Sequence, residues 1–190
     1  NQRGISGMTL QEVAEQLGLK TTAVTYYFRY KEQLIVAVFE DSLQRLSAMA
    51  EEAGQASTPR ERASRYLEIW FDHYAAAMRN ETRPMAILSE LRALEGGARE
   101  KLIGSYQDIF RAVRNLLGPT DTTEQKLRLT VRAQMLNEAI FWAAIWLKQY
   151  DIADFDTVRR QFLQILEGGI ATASANLRPA TPPADKAVAT

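Results

Sequence analysis

Between Gly18 and Lys31 the chain carries three cations, Lys20, Arg29 and Lys31, and no acid, although basic and acidic residues balance at 23 each over the 190 residues. The same window holds a run of hydroxyls on Thr21, Thr22, Thr25, Tyr26 and Tyr27. Cations attract phosphate and hydroxyls both donate and accept hydrogen bonds, so the chemistry here suits a polyanion. Little else suggests reactive chemistry. The sole histidine, His73, stands beside Asp72 and reads as a surface or satisfied core residue rather than a metal ligand or catalytic base. No nucleophile elbow, phosphate-cradling glycine loop, metal-binding cluster or Ser/His/Asp arrangement is present, so an enzyme would lack groups to act through. A non-enzyme without cofactor or metal is expected.

The elements around the basic window must form first. Thr9-Leu10-Gln11-Glu12 is a capping box: the Thr9 hydroxyl can accept from the Glu12 amide while the Glu12 carboxylate reaches back to the Thr9 amide. Met8 and Val13 occupy the positions of a hydrophobic staple, and Gly18 suits the left-handed residue that ends such a helix. Thr21 to Tyr30 is rich in β-formers and by propensity alone would be a strand. Spacing argues otherwise. Val13, Leu17, Leu19, Val24 and Tyr27 can interlock two short helices, small Ala14 lets them cross closely, and Gly18 makes the turn. Two helices so crossed would set the second in a major groove.

The segment Thr9 to Leu34, TLQEVAEQLGLKTTAVTYYFRYKEQL, resembles the DNA-binding motif of TetR-type (tetracycline-repressor-like) regulators, above all in Tyr27-Phe28 followed by Lys31-Glu32 and an apolar long helix. The resemblance implies that Lys20, Thr21, Thr22, Thr25 and Tyr26 reach base edges, that Ala23 touches a thymine methyl, and that Thr9, Tyr27 and Lys31 contact phosphate. Phe28 reads as core. The sequence departs from the family in having Lys20 where serine is common and Thr25 where tyrosine is common, so Thr21 is expected to cap the second helix instead. Only eight residues precede Thr9 and the chain opens on Asn1, so a further helix is expected upstream.

Apolar residues at three- and four-residue spacing make the rest all-α. Helices are predicted at Leu10 to Leu17, Thr22 to Phe28, Lys31 to Ala53, Pro59 to Arg79, Pro84 to Leu94, Ala98 to Leu117, Thr123 to Tyr150 and Phe155 to Asn176. A helix-turn-helix domain over residues 1–38 would precede an antiparallel helical effector-binding and dimerisation domain over 39–177, with 178–190, holding three of the six prolines, as a loose tail.

Tyr66, Trp70, Tyr74 and Met78 recur every fourth residue on one helix face, and Met85, Leu88, Tyr106, Phe110, Met135 and Phe141 are of similar kind. A filled core explains any one of them. By resemblance, these residues surround a small, largely apolar effector, and Gln134, Asn137 and Glu138 interrupt the apolar pattern as groups that would orient it. Ala139 to Leu147 is apolar all round, and Phe155, Val158, Phe162, Ile165, Leu166 and Ile170 form a stripe on the next helix. The two helices would pair with their copies in a homodimer, Gly168-Gly169 permitting close approach. A purely structural dimer is the rival, and the acid-free window speaks against it. The longest apolar run, Ala139 to Leu147, is too short to span a bilayer, and the absence of cysteine favours a reducing compartment such as the cytoplasm. The partners implied are operator DNA, a small effector and a second copy, with no membrane. The operator, the effector and the sign of control are not legible.

Overall fold

The computed structural model describes residues 7–86, 94 and 96–175, and its described residues form seven α-helices and two 3-10 turns without a strand. The expected all-helical class is what forms. The expected tail, 178–190, lies outside the described residues.

The capping box appears as read: Thr9 Oγ1 accepts from the Glu12 amide at 3.2 Å and the Glu12 carboxylate accepts from the Thr9 amide at 3.0 Å. It starts α1, Leu10–Gln16, and Gly18 at φ +65° turns the chain into α2, Thr21–Tyr27. Packing between α1 and α2 therefore overrides strand propensity, with Ala14 and Val24 buried at the crossing. The interlock is narrower than expected. Leu17, Leu19 and Tyr27 are exposed, because a seven-residue helix has only two turns and offers its partner about one residue from each.

The 23-residue helix α3, Lys31–Ala53, follows at once and packs against α4, Pro59–Met78, and α5, Gly96–Leu116. Second and third capping boxes, Thr58 with Glu61 and Thr122 with Gln125, start α4 and α6, Thr123–Trp146. The last helix, α7, Phe155–Ala175, lies against α4. Buried Phe39, Leu46, Tyr66, Trp70, Ile109, Val113, Leu136 and Ile140 join these helices in one core.

Two expectations change. The helix from Pro84 does not begin there: Arg83 to Ala86 are non-helical, while residues 87–93 lie outside the described residues. The groups a helix would use inward are instead held by α3, since Arg45 Nη1 donates to the Arg83 carbonyl at 2.7 Å and the Ala86 amide donates to Ser42 Oγ at 2.8 Å. The α7 stripe also divides. Phe155, Val158 and Phe162 face inward, Phe162 meeting Phe71 edge-on at 5.2 Å and Phe155 lying 5.9 Å from Tyr74, while Ile165 points out. The side chains of Leu166 and Ile170 lie outside those described.

Candidate nucleic-acid interface and ligand cavity

Helix α2 is held from one side only. Val24 is its buried contact, so Lys20, Thr21, Thr22, Ala23, Thr25, Tyr26 and Tyr27 are all exposed. Tyr26 and Tyr27 are 83% and 76% exposed and stand edge to face 5.1 Å apart. Large rings left in water without a core role fit a surface that is covered in another state. The Thr25 hydroxyl donates back to the Thr21 and Thr22 carbonyls at 3.1 and 3.3 Å, which leaves its oxygen free to accept. Thr21 does not cap the helix: Lys20 is the N-cap residue and makes no side-chain cap bond, Thr21 already being helical.

Thr9 and Lys31 lie at the ends of the motif. Thr9 is exposed at the start of α1, its hydroxyl shared with Glu12. Lys31 is half-buried as the first residue of α3, where the helix dipole disfavours a cation and the outward amides favour an anion.

In the helical body, Tyr66 and Asn137 are buried and bonded, Tyr66 Oη donating to Asn137 Oδ1 at 3.2 Å. Burial pushes the Tyr66 phenol far above its usual range, so it stays a donor at any physiological pH. One turn further along α4 and α6 from this pair, a cavity of about 250 Å³ opens. Helix α4 lines it with Trp70, His73, Tyr74, Ala77 and Met78. Phe141, Ala144 and Lys148 close a second side, Leu46 of α3 adds to the wall, and Pro84, Met85 and Ala86 form the rest. Trp70 stacks on Tyr74 at 5.5 Å, and the Tyr74 hydroxyl donates to the Ala144 carbonyl at 3.1 Å.

Of the residues expected around an effector, the structure therefore brings Trp70, Tyr74, Met78, Met85 and Phe141 together. Tyr66 and Asn137 lie deeper in the core, while Tyr106 and Phe110 form an edge-on pair at 4.8 Å behind Phe141, which Tyr106 approaches to 5.9 Å. Gln134 and Met135 are exposed on α6, and neither lines this cavity. Leu88 lies outside the described residues.

His73 was not expected here. Burial first, then the Arg45 charge, lower its pKa, and the Arg83 carbonyl and Asp41 only partly offset them, so the ring is neutral at neutral pH. The four-residue count followed Tyr66, Trp70, Tyr74 and Met78 and passed over i+3; Trp70, His73, Tyr74, Ala77 and Met78 are the full helical stripe.

The cavity wall is tied to α3 by named bonds. Ser42 Oγ accepts from Ala86 and donates to the Val38 carbonyl at 3.0 Å, and Arg45 pairs with Asp41 at 2.7 Å while holding Arg83. Ser42→Ala is expected to lower unfolding free energy by about 1 kcal/mol, because the part-buried Ala86 amide loses its acceptor. A urea denaturation midpoint checks this.

On the far side of α6 an apolar stripe is left open: Leu127, Val131, Met135, Trp142 and Ile145, with Met135 and Trp142 67% and 59% exposed. At 100° per residue these five fall within one narrow arc. No described helix is long and apolar enough to cross a membrane, and no group of His, Cys, Asp or Glu among the described residues could hold a metal.

Residues 1–38 match the family model for bacterial regulatory proteins, tetR family. The whole chain is similar in fold to a TetR-family transcriptional regulator of Bordetella parapertussis 12822, at 19% identity and a TM-score of 0.69 over 94% of this chain and 91% of that one. It is similar to the TetR-family regulator PfmR of Thermus thermophilus, at 18% identity and a TM-score of 0.66 over 86% and 90%. It is equally similar to AibR, whose structure was solved with isovaleryl coenzyme A and operator DNA, at 18% identity and a TM-score of 0.66 over 86% and 89%. A comparison with curated proteins finds no match.

Proposed function

We propose, from the premise that the chain is a DNA-binding transcription regulator of the TetR type, that it is a homodimeric repressor released from its operator by a small, largely apolar effector held in the α4–α6 cavity. The observation that carries this reading is the outward face of α2: an acid-free, hydroxyl-rich helix with two exposed tyrosines, inside the residues that match the tetR-family model. Lys20, Thr21, Thr22, Ala23, Thr25 and Tyr26 would meet base edges, and Thr9, Tyr27 and Lys31 phosphates. Residues 1–38 would act as the DNA-binding domain and 39–177 as the effector and dimer domain, with the cytoplasm as the place of work.

The dimer would form through α6 and α7, burying the Leu127 to Ile145 stripe and Ile165. Two copies of α2 would then engage adjacent half-sites together, which multiplies the modest affinity of one short helix.

Release would follow from the bonds between cavity and α3. An effector that prefers a different position of Arg83 to Ala86 moves Ser42 and Arg45 with it, and α3 begins directly after α2. The shift is a population change, and its extent equals the ligand's preference for the released state.

The deciding experiment is a mobility-shift titration with DNA from upstream of the protein's own gene, followed by footprinting. If Lys20, Arg29 and Lys31 of both protomers neutralise phosphates, raising salt from about 50 to 200 mM weakens binding about a thousandfold. A structural dimer without a nucleic-acid role gives no shift at any salt.

A further inference from the structure

The lining of the cavity grades from buried to open. Leu46 and Trp70 are buried, while Met78, Pro84 and Lys148 are exposed and mark where the cavity meets solvent. Phe141, Ala144 and Lys148 follow one another at three and four residues, so the α6 stripe that lines the cavity ends on a cation. No acid is among the described lining residues, and Lys148 has no ion-pair partner among the described residues. The other polar groups of the wall are committed or closed: the Tyr74 hydroxyl donates to the Ala144 carbonyl, the Ala86 amide donates to Ser42 Oγ, and His73 Nε2 is shut off from solvent. Asp72, the acid next to His73 in sequence, is taken by Arg159 of α7 at 3.0 Å. A ligand entering here meets apolar surface inside and one uncompensated positive charge at the opening.

We propose that the effector is an amphipathic monocarboxylate of about ten carbon atoms, its apolar body against Trp70, Tyr74, Met85 and Phe141 and its carboxylate at the rim beside the Lys148 ammonium. This rests on the effector reading of the cavity. The size follows from volume, since a dry cavity of about 150 Å³ takes benzene and this one offers about 250 Å³. At the rim the carboxylate keeps part of its hydration and gains a counter-ion, so it avoids the cost of burying a charge among apolar walls. The same ammonium repels an amine or amidine head. A cation just after α6 also suits the negative end of that helix dipole, a role that leaves the choice of ligand untouched.

Three ligands on one skeleton isolate that charge: 4-butylbenzoate is an anion, 4-butylbenzamide is neutral and 4-butylbenzamidine is a cation. In calorimetric titrations of the full chain at low salt, the benzoate is expected to bind about fivefold more tightly than the benzamide, and the benzamidine more weakly than either. Lys148→Met removes the advantage of the benzoate over the benzamide, and Lys148→Arg, which keeps the charge, retains it. A benzoate no tighter than the benzamide, or a benzamidine tighter than both, overturns the carboxylate inference and leaves the effector reading of the cavity standing. An advantage of the benzoate that survives in Lys148→Met overturns it too, by moving the anion contact elsewhere. Binding of none of the three overturns both readings.

Discussion

Tyr26→Ala is expected to weaken operator binding by about 30- to 1,000-fold without loss of helical circular dichroism. The ring makes no core contact, being exposed beside Tyr27 on α2, so its removal leaves no cavity, and alanine is the better helix former in that short element. What is lost is contact with DNA, about 1–2 kcal/mol at each half-site, and a dimer loses it twice. Lys31→Ala is expected to act in the same direction with a different character. It removes a charge at the start of α3, so affinity falls on every DNA sequence alike and the salt slope is reduced by about two per dimer. A titration by fluorescence anisotropy on operator and scrambled duplexes separates the two effects. Unchanged affinity in both variants would remove α2 and the start of α3 from the interface.

Trp142→Arg tests the other large claim. On the proposed twofold axis, each α6 presents Leu127, Val131, Met135, Trp142 and Ile145 to its copy, and the large aromatic is where such an interface concentrates its energy. Losing one indole from each side, at about 2–4 kcal/mol apiece, raises the dimer dissociation constant by at least about a thousandfold, and two buried guanidinium groups add repulsion. The variant is expected to sediment as a monomer and to lose operator binding at concentrations where the unaltered chain is saturated. Its fold should survive, because Ile140, Ala143 and Leu147 anchor this helix from the opposite face. A variant that stays dimeric would place the interface elsewhere.

The local grammar of the chain was readable where it is self-contained. Three capping boxes begin with a threonine and end three residues later with Glu12, Glu61 or Gln125, and each starts a helix within a residue of the predicted place. A cap is a contact between neighbours in sequence, so nothing distant is needed to form it. The crossing of α1 and α2 was readable for the opposite reason: β-forming threonines and tyrosines lose to the contact of Ala14 with its neighbours across Gly18, a turn short enough for spacing to reveal.

Sequence alone thus determined the all-helical class, the exposed second helix and the aromatic face along α4, because each depends on residues within a few turns of one another. Tertiary packing decided the rest. Pro84 to Ala86 became cavity wall instead of helix once Ser42 and Arg45, some forty residues earlier, took the Ala86 amide and the Arg83 carbonyl. Phe155 and Phe162 turned inward on α4 while Ile165 stayed outside, and Gln134 fell beyond reach of the cavity it was expected to line. His73 changed most. In the sequence it is a lone imidazole, and only in the folded chain does one of its nitrogens, Nε2, become closed off from solvent without a hydrogen-bond partner among the described residues. Periodicity fixes the face of a helix a residue occupies; what meets that face is settled by contacts between segments distant in the chain.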